Sequence, residues 1–214
     1  INRAPAKVQS ALLEVMAEGQ VTISGSTMRV PEPFMVLATQ NPIESEGVFP
    51  LPEAQRDRFM MRVVVSLPSA DEERDIAEQY HGKKPTATQR IDLGQLRALQ
   101  KVASSVSVPD PVLDYAVRLT MATRDPSAHG LPHLVPLLRT GVSPRATLAM
   151  LRAAKAMAVL RGRPVVNSQD VYDVGFDVLN HRLILSYDAL ADGISPFDVC
   201  AQILRKVPAP RGPR

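Results

Sequence analysis

From Ser69 onward the 214-residue chain opens one helix after another, and this run of start signals constrains the fold more than any other feature. Ser69-Ala-Asp-Glu72 is a capping box, in which a side-chain oxygen and a carboxylate three residues later satisfy each other's backbone amides. Asp92 precedes Leu93, Leu96, Leu99, Val102 and Val106, which lie along one side of a second helix. Asp110-Pro111, Ser143-Pro144, Ser168 and Ser195-Pro196 mark four more starts. Each sets a side-chain oxygen at the N-cap, and three put proline at the first helical position, where no intrahelical donor is lost. Six starts without a strand pattern between them predict an all-α domain over residues 68–206. The tail, 207–214, reads Val-Pro-Ala-Pro-Arg-Gly-Pro-Arg and is predicted to be disordered, since it offers little to bury.

Ahead of Ser69 the pattern differs. Val8, Leu12, Leu13 and Met16 recur at helical spacing after Ala4-Pro5, and Gly19 ends the run. Residues 20–30 read as a hairpin, with Val21 and Ile23 alternating, a Ser24-Gly25-Ser26 turn, then Met28 and Val30. Residues 34–39 and 61–65 are short apolar runs of the kind buried on both faces of a parallel sheet, with a helix over 52–59 between them. Residues 1–67 are therefore predicted to be an α/β piece, with the boundary to the helical domain near Leu67 to Ser69.

Composition narrows the function classes. No run approaches the ~20 apolar residues of a membrane span. Net charge is +3, aromatic residues make up 4% and tryptophan is absent, so neither a basic footprint nor a stacking platform for nucleic acid is present. The lone Cys200 has no internal disulfide partner, which makes a reducing, cytoplasmic setting the default. His81, His129, His133 and His181 are scattered without metal-ligand spacing and read as loop or surface histidines. Ile1-Asn2-Arg3 is neither a start methionine nor a signal peptide, and reads as the opening of a piece whose first part is missing.

Three positions carry candidate chemistry. Asn41 follows an apolar run; Asn-Pro is a common strand terminator, but a neutral amide at a strand's carboxyl end also sits where α/β sheets bind ligands and orients water without adding charge. Arg56 and Arg58 lie on the segment between the two apolar runs. They fit a solvated helix face, and equally a braced guanidinium pair for phosphoryl oxygens. Arg145 follows Ser143-Pro144 in a first helical turn, where the helix dipole disfavours a cation; an anion nearby would compensate, while simple exposure would cost only a few tenths of a kcal/mol.

Four stretches resemble the MoxR branch of the AAA+ ATPases: INRAPAKVQSALLEVMAEGQVTI, VLATQNPIESEGVFPLPEAQRDRF, GVSPRATLAMLRAAKAMAVLRGR and DVLNHRLILSYDALADGISP. The likeness runs from Ile1 to about Pro208. It implies an α/β fold class, the C-terminal part of an AAA+ core with parallel-sheet strands, helices and a hairpin insertion that faces a ring pore, followed by an all-α lid. It also implies that the Walker B acidic pair and the phosphate-cradling Gly-rich loop precede Ile1. By resemblance Asn41 matches sensor 1, Arg58 the arginine finger acting on a neighbouring subunit's nucleotide, and Arg145 the sensor 2 arginine of the lid. Arg56 stands where relatives often carry an apolar residue and receives no finger role. The implied cofactors are ATP and Mg2+, the metal being held by residues upstream of Ile1. The implied partners are further copies in a ring, taken as a hexamer, a von Willebrand factor A-domain protein, and client proteins, without nucleic acid or membrane.

The leading expectation is thus an ATP-hydrolysing, chaperone-like remodeller of partner proteins, with this piece inactive alone. A nucleic-acid motor is the first alternative, and the uncharged hairpin tip ISGSTM, with only Arg29 basic nearby, counts against it. A non-catalytic interaction module is the second.

Overall fold

A computed structural model describes residues 1–40, 49, 51–82 and 86–210. Helix α1 (Ala6–Glu18) ends on Gly19, whose left-handed backbone (φ 62°) lets its amide turn back to Val15 O at 3.0 Å, a conformation that costs other residues a Cβ clash. The expected hairpin follows as β1 (Gln20–Ile23) and β2 (Ser26–Arg29), antiparallel with Val21 opposite Met28. Ser24 (φ 50°) and Gly25 (φ 81°) are its two-residue turn, both with the positive φ that a hairpin's right-handed twist selects. Thr22 Oγ1 donates to Glu14 Oε1 at 2.7 Å, which ties the hairpin back to α1.

Residues 34–39 and 61–65, expected as parallel strands, pair with no strand among the described residues. The ladders there are β1–β2 and a second antiparallel pair in the helical part. A strand exists only through a hydrogen-bonding neighbour, and here none lies alongside. Leu37 and Val65 are accordingly 84% and 89% exposed. The α/β class stands, but its strand content is smaller than the apolar runs suggest. The helix expected over 52–59 is a single turn, α2 (Glu53–Arg56), followed by a turn through Asp57 and Arg58.

The helical part comprises α3 (Ala70–His81), α4 (Leu93–Ser105), α5 (Asp110–Arg124), β3 (Leu138–Thr140), α6 (Pro144–Leu160), α7 (Ser168–Leu179), β4 (Ile184–Leu185), α8 (Tyr187–Ala191) and α9 (Pro196–Lys206). The capping box predicted at Ser69 closes, and Asp92 and Ser195, expected as N-caps, close boxes as well with Gln95 and Asp198. Two caps differ from the sequence reading. Pro109 is the N-cap of α5 and Asp110 its first helical residue, while Asn167 rather than Ser168 caps α7, in a box with Asp170. The core lies among α5, α6, α7 and α9, with Tyr115, Leu119, Met150, Val178 and Ile203 fully buried. Helix α6 offers it Ala146, Ala149, Ala153, Ala154 and Ala158, small side chains that let α7 and α5 approach closely. The predicted apolar side of α4 is largely uncovered. Only Val106, just past its end, is buried, because no described element packs over Leu93, Leu99 and Val102.

The tail departs from expectation. Val207 is buried, Arg118 Nη2 donates to Pro208 O at 3.2 Å, and Ser168 Oγ to Pro210 O at 3.4 Å. One apolar side chain and two accepting carbonyls suffice to seat 207–210 against α5 and α7; residues 211–214 lie outside the described residues. No helix among the described residues is long and apolar enough to cross a membrane.

Candidate functional site

The loop before α6 is held against the end of α5. Val142 N donates to Thr123 Oγ1 at 3.0 Å, and Arg124 Nε donates to Val142 O at 2.8 Å. Gly141 permits the approach, since a Cβ there would stand 2.5 Å from Thr123 O and push the two backbones apart. Ser143 is thereby fixed as the α6 cap, its Oγ accepting from Arg145 N at 3.2 Å, and Arg145 projects from the first turn.

That turn faces Asp57, which sits between Arg56 and Arg58. The Ser143 hydroxyl is shared between Asp57 Oδ2 at 2.8 Å and Oδ1 at 3.0 Å. Arg145 Nη1 donates to Oδ2 at 3.3 Å and Arg182 Nε to Oδ1 at 3.0 Å. The two arginines are unlike each other. Arg145 is 56% exposed at its side chain, whereas Arg182 is 2% exposed. Arg182 also donates to the carbonyls of Asp57 (3.1 Å), Phe59 (2.5 Å), Met60 (3.2 Å) and Val178 (2.5 Å), so its planar fork clamps the backbone on both sides of Arg58. Burial lowers the pKa of its guanidinium and the Asp57 charge opposes that shift, leaving it a cation throughout the accessible pH range.

His181 completes the clamp and is not a surface residue. The residue is 5% exposed, with Nδ1 3.1 Å from Asp177 O and Nε2 3.1 Å from Phe59 O. Burial first, then the neighbouring Arg182 cation, push its pKa down to about 4 despite the two carbonyls. The unfolded chain binds this proton near pH 6.5 and the folded one only near 4, so between these values the unfolded state holds more protons. The stability tied to the neutral ring is complete above pH 6.5 and drains away as pH falls toward 4, by roughly 3 kcal/mol in all. Urea unfolding at pH 7.5 and 4.5 is expected to show that loss, and His181→Gln to remove this part of the slope; an unchanged slope in the variant would assign the acid sensitivity elsewhere.

The sequence candidates fall as follows. Arg145 comes to the segment carrying Arg56 and Arg58 by way of Asp57. No hydrogen bond or ion pair joins the Arg58 guanidinium to another described residue. Arg56 Nε is buried and without a partner among the described residues, at the rim of a cleft lined also by Glu53, Asp57, Gly141, Ser143 and Arg182. Glu53 is engaged by Arg139. Asn41 lies outside the described residues. Sequence reasoning missed Asp57, His181 and Arg182, although all three stand inside the stretches that carry the family resemblance. Among the described residues no group of three or more His, Cys, Asp or Glu side chains is placed to hold a metal ion.

Comparison with known proteins places the chain in a family. Residues 1–61 match the model of the ATPase family associated with various cellular activities (AAA), and residues 135–203 match that of the AAA lid domain. The chain is 51% identical to chaperone MoxR1 of Mycobacterium tuberculosis over 99% of its own length and 56% of the relative's. It is 36% identical to protein MoxR of Paracoccus denitrificans, over 92% of its own length and 62% of that protein's. The crystal structure of a candidate ATPase from Cytophaga hutchinsonii superposes with a TM-score of 0.92 at 40% identity, covering 98% of this chain and 64% of that one. The chain thus spans somewhat under two thirds of the length of these relatives. With an AAA core segment, an AAA lid and two relatives of that name, the chain belongs to the MoxR family of AAA+ ATPases.

Proposed function

We propose that this chain supplies one side of an ATP-hydrolysis site shared between subunits of a ring, and that the ring is a chaperone-like remodeller of partner proteins. Residues 1–67 are the end of the nucleotide-binding core and 68–206 the lid. The observation that carries the reading is the meeting of two arginine-bearing segments at Asp57: Arg145 at a helix N-terminus, and Arg58 held on a clamped turn with no partner of its own among the described residues. An unpaired guanidinium on a backbone whose carbonyls at 57, 59 and 60 are held by Arg182 fits a group reserved for an anion that arrives from elsewhere. The Arg58 guanidinium therefore suits a phosphate oxygen.

In this reading Arg145 reports the nucleotide of its own subunit, Arg58 reaches that of the neighbour, and Asn41 orients the attacking water. When bound, ATP supplies the phosphoryl group to be transferred, and the chain's own residues hold charge and position. Magnesium would be carried by acidic residues that precede Ile1 in the family pattern. The assembly is a homo-oligomeric ring, a hexamer by family analogy, working in the cytoplasm with a von Willebrand factor A-domain partner.

Arg145→Ala in the full-length protein tests the reading. Losing a charge-assisted contact to the terminal phosphate should cost ~1.5–3 kcal/mol of ATP affinity, with ADP affected less. Titration calorimetry with a non-hydrolysable ATP analogue and with ADP separates the two. Unchanged binding of both would make Arg145 a surface residue and remove the lid from the site.

A further inference from the structure

Asp57 accepts from a hydroxyl and two guanidinium groups, and these donors are not equally held. Arg182 is buried and fastened to four carbonyls besides, and Ser143 is fixed as a helix cap. Arg145 makes the longest of the contacts, from an exposed side chain with no other acceptor among the described residues. It is the one donor that leaves without opening the clamp. The carboxylate it would leave stands next to Arg58 in the chain, on a backbone whose carbonyls at 57, 59 and 60 are gripped by Arg182.

From this geometry we infer that Asp57 is a positioning residue that competes with nucleotide phosphate for Arg145, and so links occupancy of a subunit's own site to the turn that presents Arg58 to the neighbour. The inference rests on the nucleotide reading of Arg145 given above and adds to it a second, internal anion for the same guanidinium. Without nucleotide, Arg145 is parked on Asp57 and draws the α6 end of the lid onto the Arg58 turn. With nucleotide, the phosphate takes Arg145, and Asp57 keeps only Ser143 and Arg182. No group is transferred in this exchange; one ion pair replaces another.

A four-way comparison in the full-length protein tests it: wild type, Asp57→Asn, Arg145→Ala and the double variant, each titrated with a non-hydrolysable ATP analogue. Asn keeps the shape and the acceptor for Ser143 and removes the charge that retains Arg145. Freeing Arg145 from a half-exposed ion pair should tighten the analogue by about two- to five-fold. In the Arg145→Ala background the same Asp57→Asn change should do nothing, an outcome that a general structural or electrostatic role of Asp57 would not produce. Equal effects of Asp57→Asn in both backgrounds, or none in either while Arg145→Ala still weakens binding, would overturn the competition and leave the nucleotide reading standing. Binding that is insensitive to Arg145→Ala would overturn both. If Asp57→Asn fails to fold, Ser143→Gly replaces it: with one donor fewer, Asp57 should grip Arg145 harder and weaken the analogue. Tighter or unchanged binding in that variant would count against the inference.

Discussion

Full-length protein carrying Arg58→Ala is expected to bind ATP as the wild type does and to hydrolyse it about 10³- to 10⁵-fold more slowly, the range spanned by an arginine supplied across an interface. The expectation follows from where the side chain sits. Arg58 has no partner among the described residues, while the backbone around it is fastened by Arg182 and His181. Removing it should therefore cost chemistry and not folding. Mixing decides whether the site is shared. A variant lacking the expected Walker B carboxylate should also be inactive, yet mixed rings would contain interfaces where an intact Arg58 faces an intact carboxylate. Activity should partly return on mixing, which two defects in one self-contained site would not allow. Arg56→Ala is the control and should matter less. Mixing that restores nothing, with ring formation verified by light scattering, would return Arg58 to a structural role.

The second large effect concerns folding. Arg182→Met keeps an unbranched apolar stem and removes the charge and the donors. Asp57 loses its buried counterion, and the carbonyls of Asp57, Phe59, Met60 and Val178 lose a shared donor. Breaking a buried pair from one side strands the other charge, so the loss should be about 3–5 kcal/mol. For a chain of this size that is roughly a 10 °C fall in Tm, readable by circular dichroism. Arg182→Lys should recover part of it, since an ammonium restores the charge but not the fork. A change below about 1 kcal/mol in the Met variant would mean that the lid stands without this contact.

Local signals in the sequence were good guides to local structure. Ser69, Asp92, Ser143 and Ser195 open helices as their cap chemistry requires, and Ser24-Gly25 turns the hairpin. At α7 Asn167, one residue before Ser168, takes the amide of Asp170, whereas at α5 Asp110 is already helical after Pro109 and no side chain caps the start. Helix α8 left no trace, being five residues long and too short for apolar periodicity to show. What stayed hidden was long-range. Asp57 and Arg182 are 125 residues apart, and nothing in either neighbourhood announces the other. His181 reads as one scattered histidine until the fold puts Phe59 O against it. Residues 34–39 have the composition of a buried strand, but pairing depends on a neighbouring strand, and none pairs with them among the described residues.

The alanine face of α6 has a mechanical meaning. Side chains this short leave little to rearrange between α6 and its neighbours, so the helix behaves as a stiff beam within a rigid block. The helix runs from Pro144 to Leu160, seventeen residues with Arg145 in the first turn, a lever of about 25 Å. A tilt of about 10° imposed at the Arg145 end would carry the far end through roughly 4 Å, the arc being length times angle. Bulkier residues at Ala149, Ala153 or Ala154 would not merely crowd the interior. They would force α6 away from its neighbours, and a tilt begun at the Arg145 end would be absorbed at the disturbed contacts.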